Sequence, residues 1–134
     1  MNADKRGSGC EPLTLDELTD RVIDCAMRVS NTLGCGFLEK VYENALAHEL
    51  RKAALPFLQQ SPLKVMYDGV IVGEYVADML VDNRLILELK AAKAIDEIHV
   101  AQTINYLRAV DHRIGLILNF GKPKLEIKRL VYKL

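Results

Sequence analysis

Apolar residues recur at two spacings along the chain, and the change from one to the other separates helices from strands. Leu15, Leu18, Val22, Cys25, Ala26, Val29 and Leu33 fall within one ~100° stripe at helical spacing, which predicts a helix with a single buried face. Thr14 followed by Glu17 has the form of a capping box at its start. Gly34-Cys35-Gly36 ends it, because two residues free to take positive φ break the register. A second helix is predicted from about Leu38 to Ala54, and Pro56 and Pro62 then bracket an expected linker. Beyond it the period drops to two. Leu63 to Tyr67 and Val70 to Val72 flank Asp68-Gly69, a pair suited to a type I′ turn, and so predict a hairpin. The second strand continues through Leu80, and the polar turn Asp82-Asn83-Arg84 returns it into Leu85 to Lys90 as a three-strand meander. Val100, Ile104 and Leu107 restore the helical period within a third helix from about Ile95 to Val110. Ile114 to Asn119 is then a buried strand and Leu125 to Tyr132 a last one, so the predicted order is αα-βββ-α-ββ.

Polar residues inside this pattern are the candidates for chemistry. Strand side chains alternate, so Ile86, Glu88 and Lys90 share one face of the third strand while Leu85, Leu87 and Leu89 take the other. Both faces look covered, and a carboxylate in such a place is costly unless it is paired. Lys90 or a metal ion is the natural partner. Asp78 lies near the end of the adjoining strand, in the otherwise apolar run Ala77 to Leu80, so two acids and a lysine converge. Glu126-Ile127-Lys128 repeats the acid-x-lysine spacing and serves as a control: with Lys122, Lys124 and Arg129 around it, that triplet reads as a solvated strand face.

Two further groups flank this one. On the third helix His99, Gln102 and Tyr106 lie within a ~60° arc bordering the apolar stripe, a placement that makes them boundary residues or, beside an acid pair, the wall of a cleft. At the head of the second helix stand Gly36, Glu39 and Tyr42. An anion in a first turn is favoured by ~0.3–1 kcal/mol whatever else it does, and Tyr42 lies on the same side as Glu39. Gly34-x-Gly36 is not a dinucleotide fingerprint, since it follows a helix rather than a strand and Glu39 occupies the third glycine's place.

Composition narrows the classes. The 134 residues, half of them hydrophobic, suit one domain over 14–134, preceded by a flexible tail over 1–13. Lys plus Arg number 18 and Asp plus Glu 18, so no net field draws the chain to nucleic acid or anionic lipid, and any phosphate-binding surface is local. Cys10, Cys25 and Cys35 have no C-x-x-C spacing, which argues against a disulfide framework or a zinc ribbon and for a reducing compartment. No apolar run approaches the ~20 residues of a membrane span, and "MNADKRGSG" has no signal-peptide core, so a soluble cytoplasmic protein is expected.

With these residues in view, the sequence resembles the small bacterial GxxExxY proteins of the PD-(D/E)XK nuclease-like superfamily from about Leu15 to Leu134. The resemblance rests on Gly36, Glu39 and Tyr42; on Asp78 with Glu88-Leu89-Lys90; on Gln102 to Tyr106, similar to the Q-x-x-x-Y signature of RecB-type nucleases; and on Gly115 to Gly121. Ala77 stands before Asp78 where many members carry proline. The resemblance implies a restriction-endonuclease-like α/β fold: an αβββαβ core with a mixed central sheet flanked by helices, here with an extra N-terminal helix and C-terminal strand. It implies a Mg²⁺-dependent nuclease acting on DNA through a metal-activated water, with Mn²⁺ as a substitute ion. Asp78, Glu88 and the Leu89 carbonyl would be metal ligands. Lys90 would hold the phosphate or orient the water, Glu39 would reach the ion directly or through water, and Gln102 and Tyr106 would position the backbone or the lysine. Gly36, Tyr42 and His99 would support the site.

Other readings remain open at this point. Neutral charge and the lack of a separate DNA-reading module fit a catalytically inactive nuclease fold that binds nucleic acid or protein. The basic residues Lys122, Lys124, Lys128, Arg129 and Lys133 suit either DNA contact or an edge strand guarded by lysines. A thiol enzyme using Cys35 with His48 or His99 lacks any sign of a base or orienting acid beside the sulfur. A homodimer would lengthen the groove of so small a domain.

Overall fold

The computed structural model describes residues 12–111 and 114–131. Its elements follow the order read from the sequence: α1 (Leu15–Leu33), α2 (Glu39–Lys52), β1 (Phe57–Tyr67), β2 (Val70–Val81), β3 (Leu85–Lys90), α3 (Glu97–Ala109), β4 (Ile114–Asn119) and β5 (Glu126–Val131). The strands form one sheet in chain order; β3 and β4 run parallel, with α3 as the crossover, and the other neighbours are antiparallel. α1 and α2 cover one face with Leu18, Val22, Leu46 and Leu50, and α3 covers the other with Leu107. This is the mixed α/β architecture of the αβββαβ core, with α1 and β5 added. No helix among the described residues is long and apolar enough to cross a membrane.

Local chemistry accounts for the boundaries. The Thr14 hydroxyl accepts from Glu17 N–H at 3.1 Å and Glu17 Oε1 accepts from Thr14 N–H at 2.8 Å, completing the capping box. Gly34, at φ +70°, stops α1. Asp68 and Gly69 both take positive φ, as a type I′ turn requires, and Asp82 and Asn83 do the same before Arg84 N–H closes on the Val81 carbonyl at 3.0 Å. β4 is buried at every position because helices or loops lie on both of its sides.

The expected linker between Pro56 and Pro62 is instead the first half of β1, paired with β2 from Phe57↔Val81 onward. Pro62 is accommodated because β1 is an edge strand. α2 ends at Lys52, two residues before the expected Ala54, and Asp96 caps α3 by accepting from Ile98 N–H at 2.7 Å. Of the expected tail over 1–13, residues 1–11 lie outside the described residues, as do Tyr132 and Lys133; Leu13 packs partly buried against the core.

Strict alternation fails at the base of the β1–β2 hairpin, away from the register shift between Val65 and Met66, and that failure shapes the site. Phe57 of β1 with Met79 and Val81 of β2 face α1 and α2, whereas nearer the hairpin tip Leu63 and Val65, with Ala77 and Tyr75, face α3. Odd-numbered residues of one strand should share a face, so the hairpin rolls over between the two sets. Gln59↔Met79 and Ser61↔Ala77 are in register, but Gln60 and Asp78 between them do not pair, and Gln60 takes a left-handed φ of 52°. Beyond the roll the hairpin runs past the end of the short β2–β3 ladder, and every residue from Met66 to Glu74 is exposed.

Candidate active site

β2 and β3 pair over only three residues, from Val81↔Leu85 to Met79↔Leu87. The next step would set Asp78 opposite Glu88. There the strands part, and Leu89 N–H, which faces β2, donates to Asp78 Oδ2 at 2.7 Å. A side chain thus satisfies a backbone donor that the ladder leaves over. Glu88 Oε2 accepts from the Tyr75 hydroxyl. The other oxygens, Asp78 Oδ1 and Glu88 Oε1, have no backbone or side-chain donor among the described residues apart from each other.

Electrostatics reflect this crowding. Burial first, and the Asp78 charge second, push the Glu88 carboxyl up to about 7, against the pull of the Tyr75 hydroxyl and the Lys90 ammonium. Burial and Glu88 likewise raise Tyr75 above the usual phenol range, which keeps its hydroxyl a donor. Lys90, half-buried on the same strand face as Glu88, has no carboxylate within 4.0 Å among the described residues.

The backbone that carries Lys90 is clamped. Phe120 N–H donates to the Lys90 carbonyl at 2.8 Å, and the fully buried Asn119 binds Ala92 through both its N–H and its carbonyl, at 3.0 and 2.9 Å. Gly121 permits the crossing, because a Cβ there would lie 2.3 Å from Ala92 N and O. Asn119 also donates to Glu126 Oε1 at 3.0 Å, and Glu126 accepts from Ile95 N–H at 3.2 Å. The control triplet of β5 is therefore tied into the structure rather than merely solvated.

α3 reaches this region through one residue. The Tyr106 ring stacks on Tyr75 with centroids 4.4 Å apart and planes 11° from parallel. Gln102, one turn earlier, is exposed beside a cavity of about 350 Å³ shared with Val65, Asn105, Tyr106 and Ala109. His99 is exposed, and its carbonyl accepts from the Thr103 hydroxyl.

At the α1–α2 junction Tyr42 is fully buried, stacks on Phe120, donates to the Gly34 carbonyl at 2.7 Å and accepts from Phe37 N–H at 3.2 Å. Together with Gly36, at φ +114°, it shapes the turn. Glu39, the first residue of α2, is exposed. The buried acid of this helix is Glu43, one turn on, which accepts from Gln59 at 2.7 Å, Gln60 at 2.9 Å and Lys40 at 3.3 Å. Glu43 thereby holds both residues of the β1 distortion that faces Asp78. Cys35 is exposed, and no hydrogen bond joins it to a histidine among the described residues.

A family model described as the PD-(D/E)XK nuclease superfamily matches residues 16–130. The chain belongs to the PD-(D/E)XK nuclease superfamily. No curated protein matches it. Within the PD-(D/E)XK frame, α2-β1-β2-β3-α3-β4 is the core, and nuclease activity is the activity its membership suggests. Divalent metals are the typical cofactors of such nucleases, and the residues present fit one. Asp78 and Glu88 each keep one oxygen that no donor but the other acid reaches among the described residues, and Leu89, whose N–H faces β2, turns its carbonyl to the same side. Hard oxygens of this kind suit Mg²⁺. Among the described residues no three His, Cys, Asp or Glu side chains gather as a cage, so the backbone carbonyl and waters would have to complete the set. Sequence reading missed Tyr75, Glu43 and Asn119. Strict alternation hides Tyr75, because it assigns that residue to the face opposite Asp78.

Proposed function

We propose that the protein, acting through residues 14–134 as a single domain, is a Mg²⁺-dependent nuclease that hydrolyses phosphodiester bonds of DNA. The observation that carries this reading is the neighbouring carboxyls of Asp78 and Glu88, each with one oxygen that no donor but the other acid reaches among the described residues, with Lys90, which has no carboxylate within 4.0 Å among them, on the same strand face as Glu88. Asp78, Glu88 and the Leu89 carbonyl would hold the ion, and Mn²⁺ would substitute for it. When bound, such an ion neutralises charge on the scissile phosphate and makes a water more acidic. Lys90 places a positive charge beside the phosphate and the attacking water, on a backbone fixed by Asn119. Glu39 lies on the same side of α2 as Glu43, one turn further out, and is free to meet the ion through water. Gln102 lines the cavity beside Tyr106 and contacts the DNA backbone. This placement, with Gly36, Glu39 and Tyr42 at one junction, is what supports the finer likeness to the GxxExxY proteins. The exposed thiol of Cys35 suits the reducing cytoplasm.

The balanced charge favours one competing reading, a nuclease fold that binds nucleic acid or protein without turnover. Incubating purified protein with duplex and single-stranded DNA in Mg²⁺, beside the Asp78→Asn variant, separates the two. Cleavage by the parent and none by the variant is expected. Equal behaviour of the two proteins would remove the metal-site assignment. As a protein partner we propose a second copy of the chain, meeting at the apolar hairpin tip.

A further inference from the structure

Glu88 offers two chemically equivalent oxygens, and a carboxylate on a strand end is free to rotate unless a donor selects one of them. The Tyr75 hydroxyl makes that selection by donating to Oε2, so Oε1 is the oxygen it leaves over, on a carboxyl that neighbours Asp78. Tyr75 is itself held in place. It is 9% exposed, it reaches the α3 face only because the hairpin rolls over at Gln60 and Asp78, and its ring lies flat against Tyr106. Tyr106 makes no hydrogen bond to Asp78, Glu88 or Lys90 among the described residues, so its hydroxyl is not what links α3 to the acid pair.

We infer that Tyr75 is a positioning residue that fixes which Glu88 oxygen faces Asp78, and that Tyr106 acts on the site through the Tyr75 ring. The inference rests on the nuclease reading above and assigns a role to a residue outside the sequence motifs. A hydrogen-bonded partner that orients a metal ligand typically contributes 10- to 100-fold in affinity or activity, which sets the expected size of the effect.

The test uses the whole chain with Mn²⁺ as the probe ion, comparing the parent with Tyr75→Phe, Tyr106→Leu and Asp78→Asn. Titration calorimetry gives Mn²⁺ affinity, and steady-state cleavage of a DNA duplex gives kcat and KM. Tyr75→Phe keeps the stacked ring and removes the donor, so Mn²⁺ affinity or kcat should fall about 10- to 100-fold while KM for DNA stays within about twofold. Raising Mn²⁺ should restore part of the rate. Tyr106→Leu removes the stacked ring and should move in the same direction as Tyr75→Phe by a smaller factor. A parent that binds Mn²⁺ and cuts, an Asp78→Asn variant that does neither, and a Tyr75→Phe variant indistinguishable from the parent would overturn the inference and leave the nuclease reading standing. A Tyr106→Leu variant that binds Mn²⁺ and cuts as the parent does would overturn the stacking route. A parent that takes up no Mn²⁺ overturns both readings together.

Discussion

Asp78 and Glu88 meet where β2 and β3 part, each with one carboxylate oxygen held by a protein donor and the other reached, among the described residues, by no donor but its neighbouring acid. The Glu88 carboxyl, pushed up to about 7 from an ordinary 4.5, makes the arrangement costly at neutral pH. Between those two values the folded chain holds a proton that the unfolded chain has released. Stability is therefore undiminished below pH 4.5, falls as pH rises toward 7, and carries the full penalty above it. At 1.36 kcal/mol per pKa unit the penalty is on the order of 3 kcal/mol. Glu88→Gln removes the charge, so its stability advantage over the parent should grow from pH 5 to pH 8 in urea titrations. Mg²⁺ should stabilise the parent at pH 8 and leave the variant unaffected, by mass action on the folded state alone. A difference that stays flat with pH would show that the proton is not held there.

Lys90 gives the cleanest separation of chemistry from stability. It has no carboxylate within 4.0 Å among the described residues, and Phe120 N–H holds its carbonyl while Asn119 clamps Ala92 two residues on, both independently of the lysine side chain. Lys90→Ala should change the free energy of unfolding by no more than about 0.5 kcal/mol, as surface changes usually do. Cleavage should fall by at least about 100-fold, the usual range for losing a charge or proton donor at the reacting group. Paired urea titrations and cleavage assays decide it: a variant that cuts as fast as the parent removes Lys90 from the mechanism.

Most of this fold is legible because helices and strands announce themselves by period, and the period is unbroken in α1, β3 and β4. The failures have one physical origin. Pro62 and Gln60 sit in an edge strand whose distortion is set by tertiary contacts with Glu43, so neither propensity nor alternation marks residues 57–62 as a strand. The same distortion moves Tyr75 onto the face of Glu88, and alternation, the rule that correctly joined Glu88 to Lys90, placed it on the wrong side. Asn119 and Gly121 lay inside a recognised stretch, yet their clamp on Ala92 depends on two loops crossing, which no spacing encodes.

The two acids of α2 divide along the same line. Glu43 is buried and accepts from Gln59 and Gln60, so Glu43→Ala takes the acceptor from the Gln60 amide, leaves Gln59 only Asn44 Oδ1, and should cost roughly 1–3 kcal/mol. Activity should fall with it, because Gln60 stands across the hairpin from Asp78. Glu39 is exposed, and Glu39→Ala should cost at most about 1 kcal/mol through the helix dipole. If Glu39 meets the ion through water, its loss lowers kcat at nearly unchanged stability. Measuring Tm and kcat for both variants distinguishes a structural acid from a site acid, and an unchanged kcat in Glu39→Ala would take Glu39 out of the site.

The dimer proposed above seats a second copy of the chain at the hairpin tip. Met66, Tyr67, Val70, Ile71 and Val72 are all exposed on a ribbon that β3 does not support, and two strands alone are marginal in water. Pro62 and Lys64 interrupt the open edge of β1, so continued edge-to-edge pairing is disfavoured and contact through the faces of the tip is left. The five side chains offer on the order of 500 Å² per copy, or about 1,000 Å² across a two-fold pair, where specific interfaces begin. A chain with 18 basic and 18 acidic residues does not repel its copy. The parent should sediment as a dimer at tens of micromolar, and Ile71→Lys, which burdens an already exposed position, should give a folded monomer with unchanged Tm at low concentration. A parent that stays monomeric at that concentration, or an Ile71→Lys variant that still dimerises, would rule out the tip as the interface.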